Sequence, residues 1–295
     1  MKTYPYPSGD GKVKWISTKW LAGHIDDIDL MILDVQPNIH DYIMGHIPNA
    51  IYLNEGFLRS AWKGLPAMYV PGESIKPILD RTGLDPNKPT VIYSGAGRYS
   101  KCTAGLGDGL EQPMMAYSLA RFGHKKIYIL DGGIEKWKDE GRELTKVYPQ
   151  CKESDFNVDV QKDYFVTYDE FRAMKDREDV IVFDARPADV YEQGGLWPKL
   201  GHIPGAFSLP WRNLMTKDNA RLLKSDEELK EILGKFDMTQ DKTLLIYCGT
   251  GREATNEFCI LKWHFGHDKI KIFEGSFTEW SSHPENPTVT GSKPV

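Results

Sequence analysis

Internal duplication constrains this chain more than any other feature of its sequence. Ile32-Leu33-Asp34-Val35-Gln36-Pro37 returns as Val182-Phe183-Asp184-Ala185-Arg186-Pro187. Gly45-His46-Ile47-Pro48-Asn49-Ala50 returns as Gly201-His202-Ile203-Pro204-Gly205-Ala206. Val91-Ile92-Tyr93-Ser94-Gly95-Ala96-Gly97 matches Leu245-Ile246-Tyr247-Cys248-Gly249-Thr250-Gly251 when Ser94 is laid on Cys248. Two more pairs keep the same order. Arg121-Phe122-Gly123-His124 matches His264-Phe265-Gly266-His267, and Leu130-Asp131-Gly132-Gly133 with Trp137 matches Phe273-Glu274-Gly275-Ser276 with Trp280. Ordered self-similarity of this kind means one domain present twice. The offset falls from 154 (Ser94 to Cys248) to 143 (Phe122 to Phe265), so the first copy carries 11 extra residues after Ser94. The polar stretch Tyr148 to Asp163, which contains Pro149 and lacks helical periodicity, is the expected boundary. It divides the chain into an N-terminal domain over 1–150 and a C-terminal domain over 151–295.

Each copy shows the same rhythm. A short β run ends in Asp34 or Asp184, and the Gly-His-Ile-Pro turn leads to a second run at Ile51 to Leu53 or Phe207 to Leu209. A helix follows, with Ser74 or Ser225 near its start. A central strand then ends in the Ser94 or Cys248 loop. Another helix, a strand (Ile127 to Leu130, Ile270 to Phe273) and a closing helix complete the copy. Strands alternating with helices predict an α/β fold in which each domain has a mainly parallel sheet with helices on both faces. Ligands bind such sheets beyond the carboxyl ends of the strands, where Cys248 lies. Ser281 to Val295, rich in Pro, Ser and Thr, is expected to be a surface tail.

The Cys248 loop is the one stretch with an evident chemical purpose. An apolar strand ends in the cysteine, Gly249 and Gly251 permit a tight curl, and a helix follows. Successive amide N–H groups can then point inward, and the positive helix end lies close by. Such a cradle is expected to favour thiolate over thiol. A thiolate there can attack a sulfane or thione-like sulfur and become a persulfide. The amides of Gly249, Thr250, Gly251, Arg252 and Glu253 are expected to stabilise the anionic sulfur, as fixed dipoles do for oxyanions.

Composition excludes several other classes. With 37 Lys and Arg against 42 Asp and Glu, the chain has no electrostatic reason to bind nucleic acid or an anionic membrane. No apolar run approaches the roughly 18 residues of a spanning helix. The N-terminal residues carry no apolar signal core, which suits a cytosolic chain or one whose export signal has been removed. Cysteines at 102, 151, 248 and 259 show neither paired metal spacing nor a disulfide framework.

Taken together, Asp-Ala-Arg-Pro at 184–187, Gly-His-Ile-Pro-Gly-Ala at 201–206, the Cys248 loop and the repeated closing Trp resemble the rhodanese sulfurtransferases in their two-domain form. The resemblance covers nearly the whole chain. It implies a catalytic C-terminal copy and an N-terminal copy without the cysteine, which Ser94 fits. It also implies a small anionic sulfur donor, thiosulfate or 3-mercaptopyruvate, and a thiol, cyanide or protein-thiol acceptor, with no metal or organic cofactor. Cys-Gly-Thr-Gly is closer to the mercaptopyruvate-type loop than to the Cys-Arg-x-Gly loop common in thiosulfate-preferring members.

An anionic donor needs cations. Arg186 stands where the family places a substrate arginine, Lys199 precedes the Gly-His turn, and Arg252 follows the cysteine by four; the alternative for Arg252 is pairing with Glu253 or Glu257. Asp184 is expected to orient loop amides or Arg186. His46 and His202 recur in both copies, including the one without a cysteine, so a structural role is expected for them. Glu253 departs from the Arg or Thr found there in many family loops. Pointing inward it would repel an anionic donor. Cys102, in the insert Arg98 to Pro113, could supply a second thiol or be a plain core or surface cysteine. A cysteine phosphatase would need arginine six after the cysteine, where Ala254 stands. The rival from another class is a persulfide carrier or sulfur-sensing protein without efficient turnover.

Overall fold

A computed structural model of the chain describes residues 2–8, 11–97 and 107–295. The insert's Cys102 therefore lies outside the described residues. Two compact units are present. The first comprises 1–59, 69–161 and 216–223, and the second 60–68, 162–215 and 224–295.

In the first unit, β1 (Val13–Ile16), α1 (Thr18–His24), β2 (Met31–Asp34), α2 (Ile39–Met44) and β3 (Ala50–Tyr52) come first. A hairpin of β4 (Arg59–Trp62) and β5 (Leu65–Tyr69) interrupts the series; most of it belongs to the second unit. The first unit resumes with α3 (Gly72–Arg81), β6 (Thr90–Tyr93), α4 (Glu111–Arg121), β7 (Ile127–Leu130) and α5 (Gly133–Asp139). The second unit repeats the plan with β8 (Phe165–Val166), α6 (Tyr168–Met174), β9 (Val180–Asp184), α7 (Ala188–Gln193) and β10 (Ala206–Ser208). It ends with α8 (Asp226–Leu233), β11 (Thr243–Tyr247), α9 (Ala254–Phe258), β12 (Ile270–Phe273) and α10 (Ser276–Ser282).

The two five-stranded sheets have the same order, β1-β7-β6-β2-β3 and β8-β12-β11-β9-β10. Their pairings are parallel. Strands covered on both faces must be apolar throughout, and β6 and β7 are buried at every residue. The cores correspond residue for residue: Ile32, Tyr93, Leu130 and Trp137 in one, Val182, Tyr247, Phe273 and Trp280 in the other. The predicted fold class is therefore the observed one.

Capping accounts for the helix starts. Ser225 and Thr167 close capping boxes with Glu228 and Glu170. Ser74, by contrast, lies within the first turn of α3 rather than capping it. The repeated histidines hold structure in both units. His46 stacks on Tyr42 with centroids 4.0 Å apart, and His202 stacks on Tyr191 at 3.6 Å. Each ring bonds two backbone carbonyls, those of Tyr42 and Val147 for His46 and of Tyr191 and Lys293 for His202. The segment after α10 is consequently tied down. Val289 pairs with His202, and the Pro294 carbonyl accepts the Gly205 N–H at 2.6 Å. The surface tail expected there is a pinned strap.

Candidate active site

Strand β11 is central, flanked by β9 and β12, and Cys248 follows its last residue at the carboxyl end. The cysteine is wholly buried. Its N–H donates to Ser276 Oγ at 3.2 Å, and its carbonyl accepts the Phe277 N–H at 2.9 Å. Ser276 adopts φ 52°, a left-handed conformation uncommon outside glycine. Its hydroxyl is held there by the Phe273 carbonyl at 2.8 Å.

Two close approaches explain the glycines of the loop. Gly251 has φ 80°, and a Cβ there would come within 2.8 Å of the Glu274 carbonyl oxygen. A Cβ on Gly249 would lie 2.7 Å from Cη2 of Trp197, with Cζ2 closer still. The Trp197 indole N–H donates to Thr278 Oγ1 at 2.8 Å, and that hydroxyl donates to the Gly249 carbonyl at 2.8 Å. The indole is thereby fixed over the loop.

The N–H groups of Thr250 and Ala254 both reach the Cys248 sulfur. The Gly249 N–H turns away to Glu253 Oε2 at 3.2 Å. Glu253 thus points inward and hydrogen-bonds the thiol. The expected lowering of the thiol pKa is not found in this state. Burial pushes the thiol well up, and the Glu253 carboxylate pushes the same way, outweighing the two amides. Glu253 is itself raised, by burial first, while its bonds to Cys248 and Gly249 act in the opposite sense.

Arg186 is buried and devoted to Asp184. Its backbone N–H, Nε and Nη2 all donate to that carboxylate, Nη2 at 2.6 Å, and Nη2 also reaches the Gly201 carbonyl at 2.8 Å. The guanidinium lies 4.0 Å from the Phe277 ring centroid. Its Nη1 is buried without a hydrogen-bond partner. Asp184 orients Arg186, one of the two roles expected of it.

Lys199 is placed elsewhere. Its ammonium donates to the carbonyls of His283 at 2.6 Å, Pro284 at 3.0 Å and Asn286, so it closes the turn after α10 instead of facing the cysteine. The Arg252 carbonyl accepts from Thr255 N and Oγ1, and its side chain is half-buried. Sequence reasoning did not place Trp197, Ser276 and Thr278 at the cysteine. For Glu257 the sequence suggests only an ion pair with Arg252. Both its carboxyl oxygens are buried without a hydrogen-bond partner, and burial raises it well above the carboxylate range. Among the described residues no group of His, Cys, Asp and Glu is arranged to hold a metal ion. None of the helices described is long and apolar enough to cross a membrane.

The first unit presents the matching loop. Ser94 is buried, its hydroxyl donates to Glu111 Oε2 at 3.0 Å, and its N–H donates to Gln112 Oε1 at 3.1 Å. Arg221, from the 216–223 segment of that unit, donates through Nη2 to the carbonyls of Gly95 and Gly107 at 2.8 and 2.9 Å. Gln36 takes the place of Arg186, bonding Asp34 through its N–H and its amide, both at 2.9 Å.

Comparison with known proteins identifies the family and the fold. The chain is 30% identical over 287 residues to a Synechococcus elongatus protein provisionally named a thiosulfate sulfurtransferase, covering 95% of this chain and 86% of that one. It is 26% identical over 297 residues to the sulfur carrier protein TtuD of Thermus thermophilus, covering 94% and 97%. The crystal structure of SseA from Escherichia coli, described with the rhodanese fold of 3-mercaptopyruvate sulfotransferases, superposes with a TM-score of 0.72 at 25% identity. That match covers 89% of this chain and 98% of SseA. The model of the rhodanese-like domain matches twice, over residues 17–140 and 167–283, and the chain accordingly belongs to the rhodanese family of sulfurtransferases, in its tandem form.

Proposed function

We propose that the chain moves a sulfane sulfur from thiosulfate or 3-mercaptopyruvate to a thiol, cyanide or protein-thiol acceptor, carrying it as a persulfide on Cys248. The observation that carries this reading is the position of Cys248 at the carboxyl end of the central strand, with the Thr250 and Ala254 amides on its sulfur. Those amides favour the anionic sulfur formed on transfer more than the neutral thiol, so their contribution grows along the reaction. The unpartnered Nη1 of Arg186 is a cationic group placed to meet a donor carboxylate or sulfonate. Lys199 has no part in donor binding. The half over 151–295 is the catalytic one, and the half over 1–150, with Ser94 at the cysteine position, is not. The chemistry requires no cofactor.

Incubating the protein with each donor and weighing it intact tests this. Wild type is expected to gain one reducible sulfur, and Cys248→Ala none. Equal uptake by the variant, or no uptake from either donor, would overturn the assignment.

A second reading is a persulfide carrier that releases its sulfur only to a partner protein. The complete burial of Cys248 favours it, as does the similarity to a protein named as a sulfur carrier. Many turnovers with a small thiol acceptor would exclude the carrier; a stable persulfide discharged only by a protein thiol would establish it.

A further inference from the structure

Glu253 occupies the place where a rhodanese loop would be expected to welcome an anion. Its carboxyl accepts the Gly249 N–H at 3.2 Å and hydrogen-bonds the Cys248 thiol, and its Oε2 lies 3.6 Å from the Cβ position of Gly249. The charged and titratable groups facing it are few. Cys248 stands in the same loop, Asp184 and Arg186 lie at the end of β9, and Glu257 is one turn farther along its own helix. Arg186 is the one cation among these, and its charge is shared with Asp184. Glu257, with both oxygens buried and unpartnered, would be an uncompensated charge if ionised, so it is held neutral. Glu253 is therefore the acceptor nearest the thiol proton.

We propose that Glu253 is the proton shuttle of the Cys248 site and selects donors whose leaving atom must be protonated. This rests on the persulfide reading above. The Glu253 carboxylate takes the proton from Cys248 Sγ. The thiolate attacks the sulfur of a β-mercapto-α-keto acid, forming the S–S bond. The donor's C–S bond breaks with its electron pair on carbon, so the carbon is reduced by two electrons and each sulfur is oxidised by one. The Glu253 acid returns its proton to that carbon, releasing pyruvate from 3-mercaptopyruvate. The donor's own S–H proton stays on the outer sulfur, giving Cys248–S–SH. Glu253 ends as it began, and atoms and charge balance without a co-reactant. With thiosulfate the leaving sulfite takes no proton in the step, and the dianion must approach a carboxylate. Only the return of the proton gives that donor nothing, and for it the removal of the Cys248 proton is set against the repulsion of the carboxylate. Burial, which raises both the thiol and the carboxyl, makes Glu253 a stronger base than an exposed glutamate.

The test uses the full chain as wild type, Glu253→Gln and Glu253→Asp. Two measurements are made: kcat/KM for 3-mercaptopyruvate and for thiosulfate with cyanide as acceptor, and the pH profile of Cys248 alkylation by iodoacetamide, followed on its own peptide. Glu253→Gln is expected to lower kcat/KM for 3-mercaptopyruvate about 100-fold, the low end of what a positioned proton-transfer group contributes. Thiosulfate turnover is expected to hold or rise. Alkylation should move to lower pH, because the carboxylate that opposes the thiolate is gone. Glu253→Asp should recover part of the 3-mercaptopyruvate rate. A loss under threefold, an equal loss for both donors, or an unmoved alkylation profile would overturn the shuttle. If the Gln variant does not fold, the Asp variant decides: a selective loss supports the shuttle and unchanged selectivity overturns it. Wild type that loads sulfur from neither donor overturns the sulfur-transfer reading and the shuttle together. Wild type that loads sulfur beside variants of unaltered selectivity overturns Glu253 alone.

Discussion

The Cys248 and Ser94 loops end equivalent strands of equivalent sheets, yet their interiors are built differently. Around Cys248 the polar groups converge on a sulfur: two amides, an inward carboxyl, and a guanidinium behind an aspartate. Around Ser94 several of them pair with one another. The serine hydroxyl is given to Glu111, and Arg221 takes the carbonyls of Gly95 and Gly107. The second carboxylate differs as well. Asp184 faces a permanent cation, whereas Asp34 has the neutral amide of Gln36. Duplication preserved the backbone and its histidine clamps, and divergence acted on what fills the loops. Among the described residues, Arg186 Nη1 and both Glu257 oxygens are left without partners beside the Cys248 loop, and Arg221 Nε and Glu135 Oε2 beside the Ser94 loop.

Three substitutions would break or sharpen this contrast. Arg221→Ala should have the largest effect. It strands one buried and one partly buried carbonyl and empties a filled space, so unfolding free energy is expected to fall by about 2–4 kcal/mol, measured by urea titration. Sulfur uptake at Cys248 should be unchanged at temperatures where the chain is folded. A loss of less than about 1 kcal/mol would show that the guanidinium does not hold the Ser94 loop.

Asp34→Asn comes next and is read through pH. Burial pushes Asp34 up to about 6, so the folded chain holds this proton more tightly than the unfolded chain, where aspartate titrates near 4. The resulting stability is fully present below about pH 4 and is lost as pH rises through about 6. Between those limits the stability difference between wild type and Asp34→Asn should shift against wild type by about 2–3 kcal/mol. Guanidinium or urea melts at several pH values would show it. A difference independent of pH would mean that Asp34 titrates alike in the folded and unfolded chain.

Gly249→Ala should cost least in stability, about 1–3 kcal/mol for a methyl forced against Trp197, while slowing persulfide formation. Shortening the aromatic partner in Trp197→Leu;Gly249→Ala should return part of both. Absence of any rescue would mean that the indole does not set the space over the loop.

The fold was legible because its signals are redundant. Each strand and turn is written twice, and Asp184, the Gly-His-Ile-Pro turn and Cys248 sit where backbone geometry fixes them. What escaped reading is set by side-chain direction and by contacts distant in sequence. Lys199 follows Trp197 by two residues, and its long stem could have served either the cysteine or a carbonyl cluster; the free carbonyls after α10 captured it. The inward turn of Glu253 depends on a bond to the Gly249 amide that spacing does not reveal. The thiol moved opposite to expectation because burial and an adjacent carboxylate outweigh two amides, and burial cannot be counted from motif residues alone. The hairpin of β4 and β5 has its counterpart in the 216–223 loop, closed by the same backbone bond (Val70 N–H to the Leu58 carbonyl, Lys224 N–H to the Leu214 carbonyl), but the two segments share no motif, so repetition gave no hint of it.

Ser276 carries one consequence beyond its hydrogen bonds. Its counterpart in the other copy is Gly133, also left-handed at φ 64°, where a Cβ would strike Arg221 Cδ at 2.6 Å. Glycine suits that backbone without cost, whereas a serine there stores on the order of 1 kcal/mol of local strain. The copy that carries Cys248 holds that tension together with a hydroxyl that accepts the Cys248 N–H, and the copy that carries Ser94 has neither. Backbone comfort at this position therefore differs, in a single residue, between the half that holds a cysteine and the half that holds a serine.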